Sequence, residues 1–122
     1  MTTNKINSER ERIVQEHMRA EDAKNPQGVL DTFRWPRYEV VSTGEIFDGK
    51  EKVMYFLNES MTAFPDFQFK NPVFYHSEAA VIVEVTFEGT HLGFWRGVPP
   101  TGKPVSYRMC NIFVFDGEAL VT

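Results

Sequence analysis

Residues 81–91, VIVEVTFEGTH, place bulky apolar side chains at every second position with glutamate and threonine between them. Successive side chains of a β-strand point to opposite faces of a sheet. The spacing therefore predicts a long strand whose apolar face carries every second residue from Val81 to His91. His91 is expected to point towards the interior.

A second stretch, residues 105–115 (VSYRMCNIFVF), has the same period of two, and both of its faces are partly apolar. This pattern is typical of a central strand that is covered on both faces. We expect a partner subunit to cover one of them.

The connection between the two strands, residues 88–104 (EGTHLGFWRGVPPTGKP), is rich in glycine and proline, so its backbone must turn sharply. It also contains His91, Phe94 and Trp95. Large aromatic rings beside glycines on a loop suit the rim of a pocket. We expect this stretch to form one wall and the mouth of a small-molecule site.

The residues before the strands predict helices. Ser8 and Glu11 have the spacing of a capping box, and His17 lies on the apolar stripe of the helix that would follow. Asn25-Pro26 is expected to start a short second helix that ends by Trp35-Pro36. The clearest amphipathic helix runs from a cap at Asp48 to Pro65, with apolar residues at i, i+3, i+4, i+8 and i+11 from Val53 and Ser60 at i+7 on the same face.

Shorter apolar segments predict the remaining strands. Residues 38–41 and 45–47 flank a Ser-Thr-Gly turn and form a hairpin, and residues 67–75 form a strand with an irregularity at Asn71-Pro72. Asp116-Gly117 is a hairpin turn that leads into a last strand. Helices followed by antiparallel strands indicate a single α+β domain, residues 1–122, in which helices cover one face of a curved sheet.

Composition narrows the function. A net charge of −4 without a clustered basic face argues against nucleic-acid binding. No apolar run is long enough to span a membrane, and a single cysteine, Cys110, excludes an internal disulfide, so a cytoplasmic location is expected. The three histidines lack metal-ligand spacing, and no metal site is predicted.

Four motifs occur in a familiar order and spacing: AFPDF at 63–67, GTHLG at 89–93, GVPPTG at 97–102 and FDGE at 115–118. Together they resemble the SnoaL-like polyketide cyclase and ester cyclase family of the nuclear transport factor 2-like superfamily, which also includes ketosteroid isomerase. The resemblance implies a cone-shaped, cystatin-like α+β fold, a homodimer, a hydrophobic pocket and no cofactor. In characterised cyclases of this kind an Asp near the end of the final strand is the general acid and base. Thr122 comes before that position, so we expect the domain to be truncated in its last strand; the alternative is that the protein lacks this acidic group.

His91 is the candidate catalytic residue, because an imidazole can pass a proton or hydrogen bond an enolate oxygen. The alternative is that its ring only closes the turn. The candidate substrate-binding residues are aromatic or polar side chains expected near the cavity: His17, Trp35, Tyr38, Phe64, Trp95, Tyr107, Met109 and Asn111. For His17 a hydrogen-bonded core position is the competing interpretation.

These residues support two hypotheses about function. The first is an enzyme that moves a proton next to a carbonyl and thereby cyclises or isomerises a hydrophobic substrate. The second is a non-catalytic ligand-binding or dimerisation domain of the same fold. Fold alone does not choose between them.

Overall fold

A computed structural model describes residues 3–122 of the chain, with side chains from Asn4 onward. The elements in chain order are α1 (Thr3–Asp22), α2 (Pro26–Leu30), β1 (Arg37–Val40), β2 (Glu45–Asp48), α3 (Lys50–Ala63), β3 (Gln68–His76), β4 (Ala80–Thr90), β5 (Pro104–Asp116) and β6 (Ala119–Leu120).

The strands form two antiparallel sheets. β1 and β2 make a separate hairpin, and the main sheet has the order β3-β4-β5-β6, so each strand lies beside the next one along the chain. The main sheet is curved and does not close, and the helices precede it in the chain. The predicted α+β fold class is confirmed.

The main core lies between α1 and the inner face of the sheet. On β4 the side chains of Val81, Val83 and Val85 are fully buried, which confirms the predicted alternation. α1 contributes Val14 and Met18 to the same cluster. A second cluster joins α2 to α3 and contains Val29, Leu30, Val53 and Leu57. The helices therefore cover the inner face and leave the outer face of the sheet uncovered in one chain.

Two predicted helix starts are wrong. α1 begins at Thr3, so Ser8 lies inside the helix and does not cap it. α3 is capped by Gly49 at φ +96°, without a side-chain hydrogen bond, instead of by Asp48. The Asp48 carboxylate accepts a hydrogen bond of 2.7 Å from the indole of Trp35. The Asp48 side chain is therefore bonded to Trp35 and does not cap α3.

α2 begins as predicted and ends earlier. Oδ1 of Asn25 accepts a hydrogen bond of 3.1 Å from the Gly28 amide, and Pro26 is the first helical residue. The helix stops at Leu30, several residues before Trp35-Pro36.

The predicted irregularity in β3 is confirmed as a β-bulge. The register with β4 shifts between Lys70 and Val73, and Asn71 has a positive φ of 56°. An extra residue reverses which side chains face the core. Phe74 therefore packs against the main core, while Val73 and Tyr75 are exposed.

Among the described residues of the chain, only one face of β5 is covered. Its inward side chains include the buried Phe113 and Phe115, whereas Ile112 on the opposite face is 57% exposed. Cover by a partner subunit stays a prediction. Within residues 3–122, no helix is both long and apolar enough to cross a membrane.

Candidate functional site

His91 follows the last residue of β4, and the loop between β4 and β5 folds back onto it. The His91 amide donates to the Lys103 carbonyl at 3.0 Å, and the His91 carbonyl accepts from the Gly102 amide at 2.8 Å. The inward register of β4 continues through His91, and this residue is only 7% exposed. The predicted inward direction of His91 is confirmed.

One ring nitrogen of His91 is used and the other is not. Nδ1 lies 3.1 Å from the Thr101 hydroxyl. Nε2 is buried and has no hydrogen-bond partner among residues 3–122. The Thr101 oxygen also accepts from the Lys103 amide at 3.3 Å, and it can still either accept the Nδ1 proton or donate to Nδ1. In the first case Nε2 is a free acceptor, and in the second it is a free donor. In either state the buried Nε2 atom of His91 can exchange a proton or a hydrogen bond with another molecule.

Aromatic rings form one side of this site. Phe64, the residue that caps α3, has its ring centroid 5.5 Å from His91 and 5.7 Å from Trp95. The same ring packs edge-on against Phe87 at 5.5 Å, and Phe87 stacks on Tyr107 at 5.2 Å. Four of these rings come from separate elements or loops, so tertiary packing brings them together.

The loop is held against the end of α3 by two backbone amides. Leu92 and Gly93 donate to the Ala63 carbonyl at 2.9 and 3.2 Å. A Cβ at Gly93 would meet the Thr62 carbonyl oxygen, so only glycine allows this approach. The position of His91 relative to Phe64 therefore depends on a backbone-to-backbone contact.

Trp95 lies in a tight turn that Arg96 fastens to the rest of the protein. Trp95 and Val98 exchange backbone hydrogen bonds of 3.0 and 2.8 Å. The Arg96 guanidinium bonds Glu59 of α3 at 2.8 Å and Glu45 of β2 at 2.6 Å, and it lies 5.0 Å from the Trp95 ring. These contacts fix the indole beside the His91 site.

His17 and Tyr38 lie in a second cluster. His17 is 1% exposed, and its Nδ1 and Nε2 lie 2.9 Å from the Thr32 hydroxyl and 2.8 Å from the Tyr38 hydroxyl. The Tyr38 hydroxyl is also hydrogen bonded to Oε2 of Glu21 at 3.1 Å. Burial, followed by the charge of Glu21 and this hydrogen bond, raises the pKa of the Tyr38 hydroxyl well above its usual range. Both nitrogens of His17 have partners, as the competing core interpretation requires.

The remaining predicted site residues lie in different parts of the structure. Met109 and Asn111 face the interior from β5, opposite Val85 and Val83, and are half-buried. Trp35 is 60% exposed and lies apart from both clusters, bonded to Asp48. Thus Phe64, Trp95 and Tyr107 gather near His91, while His17 and Tyr38 form their own group.

Glu21 and Thr32 were not identified as site residues from the sequence. Glu21 follows His17 by four positions on the same helical stripe, and that spacing was the available signal. Thr32 gave no signal, because it reaches His17 only through the turn that follows α2.

The hollow nearest to the loop is polar and lies against the outer side of the sheet. It has a volume of about 310 Å³ and is lined by Asp66, Gln68, Lys70, Glu88, Gly89, Thr90, Pro104, Val105 and Ser106. None of the predicted site residues lines it. A hydrophobic pocket at the His91 cluster stays a prediction. Within residues 3–122, no group of three or more His, Cys, Asp or Glu residues is arranged to hold a metal ion.

Comparisons with known proteins agree with the fold. A family model described as SnoaL-like polyketide cyclase matches residues 36–122. A candidate polyketide cyclase from Xanthomonas campestris superposes with a TM-score of 0.81 at 13% identity, over 95% of this chain and 87% of its own.

Two further solved structures are similar. AclR, a candidate hydroxylase from Streptomyces galilaeus, gives a TM-score of 0.77 at 23% identity over 93% of this chain and 71% of its own. An uncharacterised cystatin-fold protein from Novosphingobium aromaticivorans gives 0.70 at 14% identity over 89% of this chain and 90% of its own. No curated protein sequence matches the chain.

Proposed function

Because the chain belongs to the SnoaL-like polyketide cyclase family, we propose that it is a small-molecule cyclase or isomerase whose reaction moves a proton next to a carbonyl, with His91 as the catalytic residue. The substrate is a hydrophobic molecule bound against the aromatic side chains around His91. The competing function is ligand binding without chemistry in the same place.

One observation carries the proposal: Nε2 of His91 is buried without a hydrogen-bond partner among the described residues. Buried polar atoms are nearly always hydrogen bonded, and an exception in a native structure calls for an explanation. A substrate oxygen or an acidic C–H group that reaches Nε2 would supply the missing partner.

The surroundings of His91 suit this chemistry. If Nδ1 donates to Thr101, Nε2 is a base that can remove a proton α to a carbonyl. If Thr101 donates to Nδ1, the Nε2 proton can bond an enolate oxygen. The ring of Phe64 lies against both His91 and Trp95, so a substrate bound there would be shielded from water, which strengthens either interaction.

The first experiment measures enolisation directly, because cyclisation and isomerisation share that step. The purified protein is incubated in D₂O with two hydrophobic probes, an aromatic β-keto ester and a β,γ-unsaturated ketone. Deuterium incorporation α to the carbonyl is followed by NMR and mass spectrometry. We expect exchange faster than in buffer, and a loss of at least about 100-fold in His91→Gln.

His76→Gln is the matched control, because His76 also has a buried ring nitrogen without a partner and lies on β3, away from the loop. Its exchange rate should stay within about twofold of wild type. Binding of a probe with no exchange above buffer would reject catalysis of this type and favour a binding domain. Equal exchange rates in wild type and His91→Gln would remove His91 from the mechanism.

A further inference from the structure

The cluster of the buried His17 with the partly buried Glu21, Thr32 and Tyr38 has a hydrogen-bond arrangement that limits where its protons can be. Thr32 donates its hydroxyl proton to the Val29 carbonyl at 2.7 Å. The Thr32 oxygen can then only accept, so the Nδ1 atom of His17, 2.9 Å away, carries a proton and donates it. One end of the imidazole is thereby determined.

The other end of the imidazole has two solutions. The Tyr38 hydroxyl has one proton and two partners, Nε2 of His17 at 2.8 Å and Oε2 of Glu21 at 3.1 Å. If Tyr38 donates to Glu21, Nε2 must donate to Tyr38, which makes His17 a cation and Glu21 an anion. If Tyr38 donates to Nε2, Glu21 must donate to Tyr38, and both groups are neutral.

These two arrangements contain the same number of protons. They differ by one move from Nε2 to the Tyr38 oxygen and one from that oxygen to Oε2, with no bond to carbon changed. Oε1 of Glu21 lies 3.4 Å from Nε2, so the charged arrangement is also an ion pair. Burying two charges costs solvation free energy, which the direct attraction offsets. The cluster therefore has two hydrogen-bonded arrangements, and each of them opposes one favourable contribution to another.

We propose that Glu21, Tyr38 and His17 are a proton relay, in which the Tyr38 hydroxyl passes one shared proton between the carboxylate and the imidazole, and that this relay is a second acid–base centre in the protein interior. The role in turnover rests on the proposed function. The relay itself does not, because it follows from hydrogen bonds within the chain.

The surroundings favour transfer inside the cluster over loss of the proton. Phe33 and Phe113 pack edge-on against the His17 ring at 5.3 and 5.2 Å, and Phe56 of α3 packs against Tyr38 at 5.1 Å. Asp22, the last residue of α1, interacts electrostatically with Glu21.

The relay gives Tyr38 a chemistry that an isolated tyrosine lacks. Burial and Glu21 oppose ionisation of its hydroxyl. If a substrate enolate oxygen reaches Tyr38 and takes its proton, His17 can return a proton from Nε2 in the same step. The products are a neutral enol, a neutral imidazole and the unchanged carboxylate, so charge and protons balance and no phenolate forms.

The experiment is a side-chain ¹⁵N NMR spectrum of the histidines in the full chain. We expect Nδ1 of His17 to be fully protonated and Nε2 to have a shift between the protonated and bare limits. An Nε2 shift at either limit would overturn the relay, because it would mean one fixed arrangement. The wild-type spectrum alone decides this point.

Two variants of α1 extend the test. Glu21→Gln replaces the carboxylate with an amide that can donate to Tyr38 and cannot pass the proton on, so Nε2 of His17 should move to the bare limit. Glu11→Gln is the control, because Glu11 contacts His76 directly at 2.7 Å without a bridging hydroxyl. It should leave the His17 signals unchanged. An Nε2 shift that does not move in Glu21→Gln would contradict the relay.

The role in turnover is tested separately in the deuterium-exchange assay. Glu21→Gln should slow exchange at least tenfold, and Glu11→Gln should not. Unchanged exchange in Glu21→Gln with an intermediate Nε2 shift would confine the relay to the folded core. If neither probe exchanges in wild type, the proposed function fails while the NMR result still decides the relay.

Discussion

At the scale of single residues, His91 and His17 are both buried, and their hydrogen bonding separates their roles. His17 has partners at both ring nitrogens, whereas His91 has one at Nδ1 alone within the described chain. The first arrangement can store or relay a proton within the protein. The second leaves a nitrogen for a molecule from outside. Burial alone would not have distinguished them.

Another residue-scale feature fixes the strand end just before His91. Asp66 accepts from the Thr90 amide at 2.8 Å and from the Thr90 hydroxyl at 2.7 Å. These bonds, the hydroxyl first and the amide second, lower the pKa of the Asp66 carboxyl from its ordinary value of 3.8. A carboxyl with a lowered pKa in the folded state stabilises the fold above its unfolded pKa and loses that contribution as the pH falls through the folded value.

We therefore predict that Asp66→Asn lowers the urea midpoint of unfolding at pH 7, because the amide cannot accept both bonds as a carboxylate does. The difference from wild type should be full above the ordinary carboxyl pKa and should shrink as the pH falls from there through the lowered pKa of folded Asp66. Asp31→Asn is the control, since Asp31 is exposed and accepts only from the side chain of Gln27. Urea titrations from pH 3 to 7 measure both. A constant Asp66→Asn difference across this range would contradict the assignment.

At the scale of elements, the sequence predicted what depends on a repeated pattern. The period of β4 continues through His91, so its inward direction could be read from spacing alone. The start of α1 could not, because residues 3–8 continue the helix without an apolar stripe and the Ser8 pattern falls inside it. The meeting of Glu21 with Tyr38 joins α1 to β1 across a turn, and no local pattern encodes such a contact.

The contact between the loop and α3 gives the element-scale prediction. A Cβ at position 93 would lie 3.0 Å from the Thr62 carbonyl carbon and closer still to its oxygen, and a helix backbone cannot move aside as a side chain does. Gly93→Ala should therefore lower the free energy of unfolding by about 1–3 kcal/mol. Chemical denaturation measures the change.

Leu92→Ala serves as the neighbouring control for Gly93→Ala. Leu92 is 52% exposed, so trimming its side chain should cost less than the clash at position 93. In Gly93→Ala, the clash with Thr62 should also push the loop away from α3. His91 should then move away from Phe64, and exchange in the deuterium assay should become slower. Equal stability of the two variants would show that the loop relaxes without loss.

At the scale of the whole molecule, the outer face of the sheet has no cover from the residues of one chain that the structure describes. Tyr75, Ile82 and Ile112 lie in one row across β3, β4 and β5, and two of them are about half exposed. The charges beside this row are balanced. Lys70 pairs with Glu88 at 3.0 Å, and Arg108 bonds Thr86 on β4, the strand that also carries Glu84.

We propose that a second copy of the chain covers this face, as the pattern of β5 predicted. An apolar row with balanced charge can meet its own copy across a two-fold axis without like-charge repulsion.

Sedimentation velocity should then give a dimer for the wild-type chain. Ile112→Lys should give a monomer, because each dimer would bury two unpaired ammonium groups. Val41→Lys makes the same kind of change in the turn between β1 and β2, at a side chain that is 79% exposed, and should remain dimeric. A monomeric wild type, or dissociation of both variants alike, would exclude this face as the interface.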